Sequence, residues 1–336
     1  MRPEQYKDGD GLRATKPLKV GFVLARSFTL SAFAMFVDTL RLASDHRDRS
    51  GRILADWQVL GSTRHMVTSS CGIQVAPTSD FVDPARFDYI VVVGGLLSVS
   101  QPVDNETILF LKQASSKRVP VIGVCTGSFI LAEAGLLNTH EACVSWLHFH
   151  AYRDRFPDLK VRSDRLFHLD GQRGSCAGGS SSADLANVLV IRHIGRDAAR
   201  NALEVLQIDR ARSSTDCQAR RPIEITASDP RIRAVLITME QHLEGDMPLD
   251  RLARSVGLSR RQLERLFEEE TGFSPGAAYR KMRLDRAREL LLHTNRAMVD
   301  VAFDVGYVSA SHFAKAFRKA FGQSPSSVRA TEAEPC

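Results

Sequence analysis

From residue 18 to about residue 207, short apolar runs alternate with longer stretches whose apolar residues recur every three or four positions. Runs at 19–24, 57–60, 89–93, 119–124, 142–145 and 166–169 have strand length, and stretches at 29–43, 106–114, 126–136 and 182–194 have helical spacing. Tyr89-Ile-Val-Val-Val and Val119-Pro-Val-Ile-Gly-Val are apolar at successive positions, so both faces of each strand need a cover. Strands of that kind alternating with helices predict an open parallel α/β sandwich over 18–209. The pattern stops at 210–228, where Arg210-Ala-Arg-Ser-Ser-Thr-Asp-Cys-Gln-Ala-Arg-Arg-Pro shows no period, as a linker would. Asp229-Pro230 then reads as a helix N-cap followed by proline at the first helical position. From 229 to 330 the periodicity is helical throughout.

That last third writes one segment twice. Leu249-Asp-Arg-Leu-Ala-Arg-Ser-Val-Gly257 returns as Met298-Val-Asp-Val-Ala-Phe-Asp-Val-Gly306, and Ser259-Arg-Arg-Gln-Leu-Glu-Arg-Leu-Phe267 returns as Ser309-Ala-Ser-His-Phe-Ala-Lys-Ala-Phe317. Each copy ends alike, at Gly272-Phe-Ser-Pro275 and Gly322-Gln-Ser-Pro325. A short helix, a glycine turn and a second helix make a helix-turn-helix, here at about 249–270 and 298–321. Ser259 and Gln262 fit a capping box, with Leu263, Leu266 and Phe267 forming one inward stripe. Arg260, Arg261, Gln262, Glu264 and Arg265 are left outside. In the second copy Phe313, Ala316 and Phe317 face inward, leaving Ala310, Ser311, His312, Ala314, Lys315 and Arg318 as the corresponding candidates. Arginine matches guanine bidentately, and Gln, Ser and Lys reach base edges or phosphates, so both outer faces suit double-stranded DNA. A long helix over 275–293 would hold the two heads apart. A helical solenoid would repeat that long helix too, and only the turn unit repeats here.

Composition narrows this little further. The 336 residues carry a net charge of +6, 43% are hydrophobic and 25% charged, which fits a folded chain of two domains and excludes disorder of the whole. The mild basicity is compatible with a nucleic-acid partner. Cysteines 71, 125, 143, 176, 217 and 336 have neither zinc spacing nor a CxxC pair, which suits free thiols in a reducing compartment. Residues 1–17 are charged and predict a loose tail rather than a signal sequence, and no apolar run has membrane-spanning length. The protein is expected in the cytoplasm, with no metal and no cofactor; His140, His148 and His150 follow no metal-ligand spacing.

The α/β half holds one sharp local signal. Gly123-Val-Cys125-Thr-Gly127, between an apolar strand and a helix, has the form of a nucleophile elbow, and the helix N-terminus would favour a thiolate at Cys125. Gly94 and Gly95, and Gly178 and Gly179, follow other strand ends and could offer backbone N–H groups to a ligand there. Thr126, Ser145 and Trp146 complete the candidate ligand-binding set. Trp146 and Phe149 are candidate walls for a cationic ligand or ordinary core residues, and Arg26 is a candidate carboxylate partner or a solvated charge. A cysteine nucleophile needs a base and an acid to orient it. No histidine follows Cys125, where Thr126 stands, and no glutamate follows the first strand, where Phe28-Thr-Leu-Ser-Ala stands. No residue is therefore expected to be catalytic. Cys125 either contacts a ligand or merely fills a tight elbow.

The helical third resembles the AraC/XylS family of bacterial transcriptional regulators. The resemblance rests on the Ala253–Gly257 turn, on Val301-Ala-Phe-Asp-Val-Gly-Tyr307, on Ser311-His-Phe313 and on Phe317-Arg-Lys-Ala-Phe-Gly322 with Ser324-Pro325. It implies DNA contacts at Arg261, Glu264 and Arg265, and at Ala310, Ser311, Ala314 and Lys315, with the first head carrying most base specificity and the second relying on Lys315 and on phosphate contacts by Arg318. Residues 18–207 resemble the PfpI-like, class-I glutamine-amidotransferase-like proteins, which implies a flavodoxin-like open sheet. Both resemblances together point to one subgroup, whose members respond to amino acids or to quaternary-ammonium compounds such as betaine and carnitine. They imply a transcription activator controlled by a small-molecule effector, working as a homodimer with RNA polymerase as a partner. The rival reading is a cysteine amidase or hydrolase fused to a DNA-binding domain. A constitutive architectural DNA binder would leave the α/β domain without a task.

Overall fold

The computed structural model describes residues 16–45, 51–62, 64–216, 218, 225–245, 247–293 and 296–330. Most of the expected N-terminal tail, part of the expected linker, and Cys217 and Cys336 lie outside the described residues. The chain divides into two compact units after Gln218.

In the first unit, β1 (Leu18–Leu24), β2 (Ala55–Leu60), β5 (Tyr89–Val93), β6 (Val121–Val124), β9 (Phe167–Leu169) and β10 (Arg173–Cys176) form one sheet in the order β2-β1-β5-β6-β10-β9. All neighbours are parallel except the β10–β9 pair, so the sheet ends on one antiparallel edge. The short strands β3 (Val67–Thr68) and β4 (Gln74–Val75) pair with each other, as do β7 (Ala142–Cys143) and β8 (Val161–Arg162). Helices α1 (Leu30–Ser44), α5 (Ser181–His193) and α6 (Arg196–Val205) share one core, and α2 (Asn105–Ser116), α3 (Gly127–Glu133) and α4 (Phe149–Arg155) share another. Strand β5 divides itself between them by pleat alternation: Tyr89, Val91 and Val93 enter the first core, Ile90 and Val92 the second.

Three sequence expectations need correction. The run at 142–145 is a two-residue strand outside the main sheet, and Ser145 caps a tight turn by accepting from Leu147 N at 3.3 Å. Strand β10 was hidden because its residues are polar. Arg173 is buried with its guanidinium on Leu136 O at 2.9 Å and Gln172 O at 2.8 Å, and Ser175 Oγ accepts from Cys143 N at 2.6 Å. The segment 212–218, read as linker, is bonded into the α/β unit. Arg212 meets the buried Asp184 of α5 through Nε at 3.0 Å and through its backbone N at 2.9 Å, and its guanidinium also reaches Ser180 Oγ at 2.8 Å. Gln218 accepts from Trp146 N at 2.9 Å and donates to Val144 O and Arg165 O at 2.8 and 2.9 Å.

The second unit is helical: α7 (Pro230–Gln241), α8 (Leu249–Ser255), α9 (Arg260–Thr271), α10 (Pro275–His293), α11 (Met298–Asp304), α12 (Ala310–Phe321) and α13 (Pro325–Ala330). Asp229 caps α7 by accepting from Arg231 N at 2.8 Å, with Pro230 in the first turn. Helix α10 serves two small cores in turn. Ala278 and Met282 pack with Leu263 and Phe267 of α9, while Leu284, Ala287, Leu290 and Leu291 pack with Phe313 and Phe317 of α12. It is also clamped to the α7–α8 loop. The Tyr279 hydroxyl shares its one proton between Gly245 O, at 2.7 Å, and His242 O, and Arg283 donates to Gly245 O at 2.6 Å.

The two turn glycines differ in what they must avoid. Gly257 and Gly306 have φ of +69° and +77°, so both positions disfavour a side chain on backbone grounds. Around Gly257 there is open space, whereas a Cβ on Gly306 would lie 2.5 Å from Leu243 O and 2.8 Å from the Arg283 guanidinium carbon. Gly257→Ala should therefore cost about 1–2 kcal/mol of left-handed strain, and Gly306→Ala a further ~1–3 kcal/mol of overlap. Hydrogen exchange of the α10–α12 amides measures this, with protection falling more in Gly306→Ala; equal losses in the two variants would contradict the clamp.

Candidate functional site

Cys125 lies between β6 and α3 with φ +56°, a strained left-handed backbone for a residue with a Cβ. Its N–H donates to Cys176 O at 3.2 Å, which ties the elbow to β10. The thiol meets the Thr29 hydroxyl at 3.4 Å, and among the described residues that is its one side-chain hydrogen-bond partner. Burial pushes the thiol pKa up, outweighing the Thr29 hydroxyl and the Thr126 N–H that pull it down. The helix N-terminus does not win: at neutral pH the group is a thiol, contrary to the expected thiolate.

The glycines around the elbow make room for backbone. A Cβ on Gly94 would sit 2.2 Å from Gly127 N, and one on Gly95 would sit 1.6 Å from Ser27 O. Gly94 N already donates to Val124 O at 3.0 Å, and Gly95 O accepts from Thr126 Oγ1 at 2.9 Å. The Gly94 amide and the buried Thr126 hydroxyl are thus committed within the protein. Gly178 approaches the elbow from β10, since a Cβ there would lie 2.8 Å from Cys125 Cβ. Gly178 and Gly179 both have positive φ and lead into α5. Cys125, Thr126, Gly94, Gly95 and Gly178 therefore meet at one place. Ser145 and Trp146 do not hydrogen-bond the thiol. Phe149 is buried in the second core, His148 packs edge-on to Phe129 at 6.3 Å, and His140 pairs with Asp170. Arg26 is exposed at the end of β1. The sequence reading missed Thr29, whose hydroxyl stands just after β1 and faces the thiol.

The two outer helix faces differ in electrostatics. On α9 the capping box is complete: Ser259 N donates to Gln262 Oε1 at 2.9 Å, which commits the Gln262 carbonyl. Arg260 is held to Glu264 at 3.0 Å and Arg265 to Glu269 at 3.6 Å, while Arg261 has no ion pair among the described residues. Solvent-exposed i,i+4 pairs are screened by water and contribute little, so both arginines are cheaply released to a stronger partner. Helix α12 contains no acid, and its exposed Lys315, Arg318 and Lys319 have no ion pair among the described residues. Ser311 and His312 are exposed, whereas Ala310 and Ala314 are half-buried and offer only methyl groups.

A helix-turn-helix domain family matches residues 252–331 and the DJ-1/PfpI family matches residues 20–156. The HTH-type transcriptional regulator GbdR of Pseudomonas aeruginosa is 35% identical over 326 residues, 96% of this chain and 87% of that protein. GlxA of Rhizobium meliloti, another HTH-type transcriptional regulator, is 32% identical over 93% of this chain and 95% of its own. The chain belongs to this family. It is a DNA-binding transcriptional regulator that joins a DJ-1/PfpI-like domain to an AraC-type helix-turn-helix domain. CdhR of Pseudomonas aeruginosa is also similar, at 32% identity over 92% of this chain and 90% of that one. Among solved structures, a ThiJ/PfpI family protein from Pseudomonas syringae has the same fold, with a TM-score of 0.51 at 16% identity over 71% of this chain and 92% of that one. No helix among the described residues is long and apolar enough to cross a membrane.

The regulator's thiols should separate by reactivity. Cys71 is exposed, and the Ser69 hydroxyl and Ile73 backbone lower its pKa, so its thiolate fraction at neutral pH is raised. Burial raises the pKa of Cys125, Cys143 and Cys176, so each gains thiolate only at higher pH than a free cysteine. Iodoacetamide at pH 7, read by peptide mass mapping, should label Cys71 first among these four. Labelling of Cys125 ahead of Cys71 would mean an activated thiolate at the elbow.

Proposed function

We propose that the α/β domain senses a small metabolite at the Cys125 elbow and that its occupancy sets the regulator's activity on DNA. The observation that carries this is a strained, half-buried cysteine whose thiol has a hydroxyl neighbour and, among the described residues, no histidine or carboxylate bonded to it. Such a group can contact or exclude a ligand but has no base to make it a nucleophile. The ligand-contacting set narrows from the sequence candidates to Cys125, Gly95, Gly178 and Gly179, with Thr29 added, because the Gly94 amide and the Thr126 hydroxyl are committed within the protein and Ser145 and Trp146 are held at the Gln218 corner. The effector class, an amino acid or quaternary-ammonium compound, rests on the resemblance of the sequence. Segment 212–218 offers a route outward: Arg212 grips Ser180 and Asp184 just beyond Gly178 and Gly179, and Gln218 holds Trp146. A ligand that shifts the Gly178 loop would strain the segment leading to the DNA-binding domain, whose boundaries we place at about 229–330. The regulator acts in the cytoplasm as a homodimeric activator that engages RNA polymerase, without catalysis, cofactor or metal.

On DNA, contacts come from Arg260, Arg261, Gln262, Glu264 and Arg265, and from Ala310, Ser311, His312, Lys315 and Arg318, with Arg318 on phosphate. Arg265→Ala should cost roughly 1–3 kcal/mol on a selected operator and relax one base position. Binding-site selection on both proteins reads this, and an unchanged consensus would remove Arg265 from the reading set. For the sensor, a thermal-shift screen against amino acids, betaine, carnitine and polyamines should give stabilisation that Cys125→Ala weakens. Hydrolysis of any of these classes' amides, abolished in Cys125→Ala, would instead install the cysteine-hydrolase reading.

A further inference from the structure

Helices α10 and α12 flank a groove of about 1080 Å³ that the α12 recognition face reaches only through His312 and Lys315, leaving Arg280 and Lys319 without an assigned role. Arg280 lines it from α10, and His312, Lys315 and Lys319 line it from α12 at successive helical turns. Tyr307 and Leu284 add apolar surface. Arg280, Lys315 and Lys319 are exposed and have no ion pair among the described residues. The one carboxylate in the lining, Asp285, is taken by Lys281 at 3.3 Å. This differs from α9, where Arg260 and Arg265 carry acids of their own. Three uncompensated cations on facing walls of a concavity repel one another and focus positive potential into it.

We infer that this groove seats a sugar–phosphate strand of the bound duplex, with Arg280 and Lys319 as phosphate contacts. The inference rests on the DNA-binding assignment and extends it from the recognition helices to the helix between them. Two features fix the occupant. The cations ask for a polyanion, and the apolar surface beside them suits deoxyribose faces. The groove is also continuous with the α12 recognition face, because His312 and Lys315 belong to both. Contacts of this kind fix register and orientation and carry no sequence information.

The test uses the full chain and a duplex of arbitrary sequence, because phosphate contacts do not depend on sequence. Each phosphate contact contributes about 0.9 to the slope of log K against log salt. The variant Arg280→Gln/Lys319→Gln should therefore shrink the ratio of Kd at about 200 mM salt to Kd at about 50 mM by roughly tenfold, with melting unchanged. Arg231→Gln/Arg233→Gln on α7 removes as much charge from outside the groove and should leave that ratio nearly intact. Equal flattening by both variants would overturn the proposal, reducing the effect to diffuse charge. An unchanged slope with loss of binding to a polyglutamate peptide would also overturn it, in favour of an acidic protein partner. Failure of the unsubstituted chain to bind any duplex would overturn both the groove and the DNA-binding assignment beneath it.

Discussion

The geometry of the DNA-binding half depends on one clamp. Tyr279 and Arg283 of α10 hold the carbonyls of His242 and Gly245, and Gly306 lies against Leu243 O and the Arg283 guanidinium without space for a Cβ. The α7–α8 loop that leads into the first helix-turn-helix, the long helix and the second turn are thereby joined at one seam. With 19 residues, α10 spans about 28 Å, comparable to the ~34 Å between successive major-groove segments on one face of B-DNA. Each head has only a small core of its own, built around Leu263 and Phe267 or around Phe313 and Phe317. Neither core alone would fix the orientation of one head to the other. Helix α10, which packs into both cores, joins them, and the hydrogen bonds at the seam add a tie to the loop before the first head.

In the α/β half the comparable constraint is close backbone packing at the elbow. Gly94, Gly95 and Gly127 bring three loops within contact, and the cysteine between them takes a backbone usually left to glycine. Strain of this kind persists only where the surroundings over-determine it, and it concentrates at functional sites. Here the surroundings are apolar enough that burial, not the short α3 helix, sets the protonation of Cys125. A neutral thiol beside a threonine hydroxyl fits recognition better than attack.

How much was legible in the sequence depended on whether the signal was local. The repeat, the Ser259–Gln262 capping box and the Asp229-Pro230 cap are local rules, and all have their structural counterparts. The apolar run of β5 predicted its own burial on both faces. Strand β10 was invisible because Arg173 and Ser175 are satisfied by partners far away in sequence, Leu136 and Cys143. Helices α4 and α6 also went unread. The segment 212–218 looks like linker by composition, and its place is set by Asp184 and by the Val144–Trp146 corner. Among the candidate site residues, the sequence exposed the outer faces of α9 and α12 but not their ion pairing. The difference between tied arginines on α9 and untied cations on α12 is read from side-chain placement alone.

The most direct test of the account is a hydroxyl-radical footprint of the full chain on an operator isolated by selection. Two heads locked through α10 predict two protected patches on one face of the duplex, about one helical turn or ~34 Å apart. Gly306→Ala should blur the second patch before the first. A single patch, or two on opposite faces of the duplex, would contradict the claim that one rigid helical seam sets how this regulator reads DNA.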